Sequence, residues 1–140
     1  MADRPPTILV VDDDRVFLAA LGEVLEAEGY AVLTSPSGTR AHEVFLDHRP
    51  DLVVLDSGRS GVAPGDALAR LRFIAPTVPV ILSTGRSEPE ARGAARDLGP
   101  TAFLRKPYDV TALIGQVARL LDEASQRAKA SARVRQRPAD

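Results

Sequence analysis

Residues 8–17 read ILVVDDDRVF. Ile8 to Val11 are apolar without alternation, as in a parallel strand covered on both faces. The next three residues, Asp12, Asp13 and Asp14, are all acidic. At an effective dielectric of about 20, two carboxylates about 4 Å apart repel by about 4 kcal/mol. One of the three, Asp14, is explained as the N-cap of a helix that follows. Asp12 and Asp13 require something else to offset their charge.

Working outward, similar short apolar runs recur as AVLT (31–34), LVVL (52–55), VIL (80–82) and AFL (102–104). Helical spacing lies between them. Phe17, Leu21, Val24 and Leu25 follow i, i+4, i+7, i+8, and Gly29 stops that helix. Ala41, Val44 and Phe45 mark a second helix, and Ala67, Leu68 and Leu71 a third. Ser87-Glu88-Pro89-Glu90 reads as a capping box opening a fourth. Asp109 caps a fifth, with Leu113, Val117, Leu120 and Leu121 inside. Five strands alternating with five helices predict an α/β, doubly wound (βα)5 sandwich of the flavodoxin-like kind. Its five-stranded parallel sheet takes the order 2-1-3-4-5, with right-handed crossovers.

In such sheets the site lies outside the carboxyl ends of the strands. The residues just past the apolar runs are Asp12 and Asp13, Asp56, Ser83 and Thr84, and Arg105 and Lys106. Singly, each has an ordinary explanation as a cap, loop, turn or surface residue. Together they share one edge. Three carboxylates there carry −3, which Mg²⁺ and Lys106 would balance. Mg²⁺ takes a few oxygen ligands and works beside phosphate, and aspartate is a competent nucleophile for phosphoryl transfer. The chain has 16 Arg and two Lys, and the one Lys outside the tail is Lys106. An ammonium is a compact point charge suited to a crowded cluster of oxygens.

The stretch from about Thr7 to Leu121 resembles the receiver domain of two-component response regulators. The matching features are the acidic pair after ILVV, Asp56 ending DLVVLD, Thr84 after VPVILS, and Lys106-Pro107 in AFLRKPYD. The resemblance implies that Asp56 is the phosphoacceptor, taking phosphate from a histidine kinase or phosphotransfer protein. It implies that Asp12, Asp13, Asp56 and the Gly58 carbonyl hold Mg²⁺, and that Thr84 and Lys106 bind the phosphoryl group. Phe103 takes the place of the switch aromatic, Gly58 and Arg86 hold the positions that influence phosphate lifetime, and the Lys106–Pro107 bond is cis. The surface of the predicted fourth helix, fifth strand and fifth helix would bind a downstream protein, with a phosphorylation-dependent dimer left open. The implied role is signalling, in which the chain catalyses only its own phosphorylation and dephosphorylation. Ser60 and Pro64 stand where receivers usually have proline and glycine, and Gly65 follows one place later.

Two rival readings remain at this stage. DDDRV also fits the opening of a haloacid-dehalogenase-type phosphatase, with Asp12 as nucleophile and Asp14 as acid/base. The closing acidic pair of such enzymes is absent. The altered loop after Asp56 would alternatively suit a phosphate-independent, receiver-like interaction module. A flavin binder fits less well, because three aspartates repel phosphate.

Composition bounds the rest. The 140 residues contain no Cys and no Trp, which excludes disulfides and thiolate chemistry. No apolar run approaches membrane-spanning length, and a cytoplasmic protein is expected. Residues 1–124 carry 18 acids against 13 bases, whereas 125–140 carry five bases and one acid. The expected organisation is a disordered N-terminus (1–6), a receiver domain (7–122) and a basic tail (123–140). The tail is expected to be disordered, with a helix extension as the alternative. A role in nucleic-acid binding is not expected.

Overall fold

The structure, a computed structural model, describes residues 4–36, 38–56, 66–85 and 99–136. In chain order these form β1 (Thr7–Val11), α1 (Arg15–Ala27), β2 (Ala31–Ser35), α2 (Gly38–His48), β3 (Leu52–Asp56), α3 (Asp66–Ile74), β4 (Val80–Thr84), β5 (Thr101–Arg105) and α4 (Val110–Arg135). Helix α4 is the fifth helix of the sequence reading. The predicted fourth helix from Ser87 lies outside the described residues.

All five strands are parallel, in the order β2-β1-β3-β4-β5. The uninterrupted apolar runs divide by parity into two cores, since successive strand side chains point to opposite faces. Leu9, Val11, Val53, Leu55, Val80 and Leu82 meet α2 and α3 through Phe45, Leu68 and Leu71. Ile8, Val10, Leu52, Val54, Ile81 and Ala102 meet α1 and α4 through Leu21, Leu25, Leu113 and Val117. Both parities are therefore apolar, and no polar alternation appears in the sequence.

Local signals set the helix ends. The Asp14 side chain accepts from the Phe17 N–H at 3.1 Å and caps α1. At the other end Gly29 has φ +99°. Its N–H bonds to the Glu26 carbonyl, and the Tyr30 N–H to that of Leu25. This pairing closes a helix where a left-handed residue is required. Asp109 caps α4 through the Thr111 N–H at 2.9 Å.

After residue 122 the structure has the helix extension, the alternative expected for the tail. Helix α4 continues to Arg135. Elongation from the packed turns at Leu113–Leu121 needs no new nucleus, and Ala124, Ala128, Ala130 and Ala132 are strong helix formers. The Pro6 carbonyl, just before β1, accepts from the Ala31 N–H at 3.0 Å. Among the described residues no helix is long and apolar enough to cross a membrane.

Candidate functional site

The carboxyl ends of β1, β3, β4 and β5 converge because the strands are in register. Val11 lies opposite Leu55, which brings Asp12 beside Asp56. Asp56 lies opposite Ser83, and Thr84 opposite Arg105. The turn after β5 then folds back, with the Lys106 N–H bonded to the Thr84 carbonyl at 2.7 Å. The Lys106–Pro107 peptide is cis.

Carboxylate oxygens of Asp12, Asp13 and Asp56 all lie within 4.8 Å of one another. Asp12 is buried, at 2% exposure. One of its oxygens accepts from the Asp14 N–H at 3.0 Å, and the other accepts from Lys106 Nζ at 2.9 Å. The same ammonium reaches Asp56 at 3.1 Å. One cation thus bridges two of the three acids. Burial lowers the Lys106 pKa, but the hydrogen bonds and charges of Asp12 and Asp56 outweigh it and leave a net rise above 10.5. Lys106 therefore stays charged at neutral pH.

Three carboxylates within reach of one point, one of them buried, are a donor set for a hard divalent cation. Asp12, Asp13 and Asp56 can hold such an ion, and the bridging lysine neutralises only part of their charge.

Thr84 is buried at the end of β4, at 1% exposure. Phe103 is half-buried on β5, packed against the core under α2 and α3. Gly58, Arg86 and the loop holding Ser60, Pro64 and Gly65 lie outside the described residues. His42 is half-buried and His48 exposed on α2, as an element of the sheet face rather than of this edge.

Two aromatic groups at the site were not legible as such. Phe17 was read only as helix interior, and Tyr108 was not singled out. Their rings meet edge to face at 6.1 Å and 77°, and Lys106 Nζ sits 5.6 Å from the Phe17 centroid. With Asp12, Asp14, Pro107 and Val110 they line a cleft of about 370 Å³. Burial raises the Tyr108 phenol pKa, and the Asp12 and Asp56 charges raise it further. The available signal was the position of an aromatic two residues after Lys106.

Asp14, the acid/base of the phosphatase reading, caps α1 through one carboxylate oxygen.

A family model for the response regulator receiver domain matches residues 8–118. Response regulator MprA of Mycobacterium sp. (strain KMS) is 32% identical over 121 residues, covering 86% of this chain and 53% of MprA. Transcriptional regulatory protein GlrR of Escherichia coli (strain K12) is 32% identical over 125 residues, covering 89% of this chain and 28% of GlrR. The chain thus spans about half the length, or less, of these curated relatives. Among solved structures, a CheY-like receiver domain from Methanospirillum hungatei JF-1 superposes with a TM-score of 0.80 at 24% identity, covering 88% of this chain and 98% of that one. A receiver domain from Clostridium thermocellum gives a TM-score of 0.73 at 28% identity, covering 89% and 97%.

Proposed function

This chain belongs to the response regulator receiver domain family, and on that premise we propose that Asp56 is its phosphoacceptor. The observation that carries the proposal is the single Lys106 ammonium on Asp12 at 2.9 Å and Asp56 at 3.1 Å, within the three-carboxylate cluster. A cation placed there can follow charge from the carboxylate to an incoming phosphoryl oxygen.

The donor is a phosphohistidine of a histidine kinase or phosphotransfer protein. An Asp56 oxygen attacks phosphorus, a P–O bond forms, and the P–N bond breaks. The departing imidazole keeps the bonding electron pair and takes up a proton. Such transfer depends on positioning and on neutralising charge. Lys106 pairs with the transferred group, and Thr84, at the adjoining strand end, donates a hydrogen bond to it. Asp12 and Asp13, with Asp56, would hold Mg²⁺, which would supply the charge that lets an anionic donor approach an anionic acceptor. Phe103 answers the movement of Thr84 and alters the surface around β5 and α4 for a downstream protein. Gly58 and Arg86, which lie outside the described residues, hold the sequence positions that would complete the metal ligands and tune the lifetime of the phosphorylated state.

The test compares the parent with Asp56→Asn, each treated with acetyl phosphate and Mg²⁺ and weighed as intact protein. The parent gains one phosphoryl group and the variant none. Equal labelling, or an acyl-phosphate mapped to Asp12, would overturn the assignment. The second outcome would revive the phosphatase reading.

A further inference from the structure

Lys106 is the side-chain cation on which the proposed transfer relies, and its stem is long and flexible. Two of its contacts are the acids themselves, Asp12 at 2.9 Å and Asp56 at 3.1 Å. These are the groups whose charge is altered when a metal ion or a phosphoryl group arrives, so neither holds the ammonium steady through the reaction. A third contact carries no net charge. Lys106 Nζ lies over the Phe17 ring, 5.6 Å from its centroid, within the range at which an aromatic face attracts an ammonium.

Local structure puts that ring there. Phe17 is the third residue of α1, and its N–H is bonded by the Asp14 cap at 3.1 Å. Helical side chains tilt toward the helix N-terminus, which carries this ring back toward the end of β1, where Asp12 follows. Val16, one place earlier, is 81% exposed, whereas Phe17 is half-buried. Tyr108 meets the Phe17 ring edge to face. The Tyr108 hydroxyl is buried without a hydrogen-bond partner among the described residues, so packing alone seats that second ring.

We propose that Phe17 is a positioning residue for Lys106, its ring face holding the ammonium at the site while the charges around it change. The inference rests on the reading of Asp56 as phosphoacceptor. With the ring in place, the ammonium stays where the oxygens of the transferred group arrive, and little reorganisation is needed. With the ring face weakened, the ammonium spends more time in water and the acids are less neutralised. Two consequences of opposite sign follow. Phosphoryl transfer slows, because its cation is less well placed. Mg²⁺ binds more tightly, because the same acids attract it with less competition.

The test replaces Phe17 in the full chain by mono-, di- and trifluorophenylalanine. These keep the shape of the ring and progressively remove the negative charge of its face. Labelling by acetyl phosphate at saturating Mg²⁺ slows stepwise, by about threefold over the series. Over the same series the dissociation constant for Mg²⁺ alone falls by about twofold. Adding Lys106→Met removes both trends. The same fluorination of Phe45 in α2, whose ring lies 5.9 Å from Arg49, produces neither. Thermal unfolding shows that every variant stays folded. A Phe17 series flat in both quantities would overturn the proposal. So would Mg²⁺ binding that weakens in step with the rate, the mark of a site merely loosened, and so would trends that survive in Lys106→Met. Titration with Mg²⁺ alone involves no phosphorylation. Labelling at a residue other than Asp56 would therefore end the phosphoacceptor reading and leave the Mg²⁺ series to decide this one.

Discussion

Among the described residues a cation is engaged at each end of the sheet, and the two are held differently. At the carboxyl end Lys106 bridges Asp12 and Asp56, at 29% side-chain exposure and beside an open cleft. At the amino end Arg72 of α3 is 8% exposed. It donates to the carbonyls of Ala75, Val78 and Pro100 and to the Thr101 hydroxyl. It thereby ties α3 to the connection before β4 and to the start of β5. Burial pushes its guanidinium down to about 10, still cationic at neutral pH. The partners explain the difference. Carboxylates raise the pKa of the lysine, and their charge can be shared with another cation. Carbonyl dipoles offset less of the burial of a guanidinium, but they fix its planar fork at several points. One end suits exchange of ions, and the other suits fixed attachment.

The strongest way to break this contrast is Arg72→Met. It fills similar space but leaves buried carbonyls without their donor, and chemical denaturation should show a loss of about 3 kcal/mol. A change within about 0.5 kcal/mol would mean that the arginine is not a structural tie. The next test is Gly99→Ala. Gly99 has φ +81°, and a Cβ there would meet Arg72 Nε and the Pro76 carbonyl at 2.8 Å. Strain and displacement of the guanidinium predict a loss of about 2 kcal/mol, read by the same denaturation series. A neutral result would show that the Arg72 fork is looser than its hydrogen bonds indicate.

At the other end Lys106→Met should cost less, about 1 kcal/mol without Mg²⁺, because the pair is partly exposed. Titration with Mg²⁺ should erase that loss and bind more tightly to the variant, since removal of one positive charge favours another. Weaker Mg²⁺ binding by the variant would contradict the idea that lysine and metal neutralise the same acids.

The smallest effect is the dependence on pH. Lys106 has a folded pKa raised above 10.5, so its ion pairs contribute fully below 10.5 and are lost as pH rises through the higher folded value. The difference in unfolding free energy between parent and Lys106→Met should be flat from about pH 7 to about pH 10 and shrink above that. Growth of the difference with rising pH would refute the sign.

Much of this was legible in residue order. The unbroken apolar runs announced a parallel sheet, and the acids and lysine just beyond them announced one edge. The Asp14 and Asp109 caps and the Gly29 stop were legible for the same reason, since each acts within one turn of chain. Arg72 was missed although Leu68, Leu71, Arg72 and Ala75 share helical spacing, because a charge on such a face reads as a helix edge until its carbonyl partners are known. Those partners sit as far as 28 and 29 positions away. The helix extension of the tail was legible only as an alternative to disorder, because its sparse apolar content argued against its helix propensity, while the packed turns that seed it belong to the tertiary fold.

Residue order alone sets the sheet and its layers, because burial on both faces demands apolar residues at both parities of every central strand. It also sets which side chains stand at the strand ends. Long-range packing is what makes Lys106 span Asp12 and Asp56, sets Phe17 and Tyr108 along the same cleft, and carries Arg72 to the opposite end. Those contacts depend on strand register and on the approach of segments distant in the chain, which local propensity does not encode.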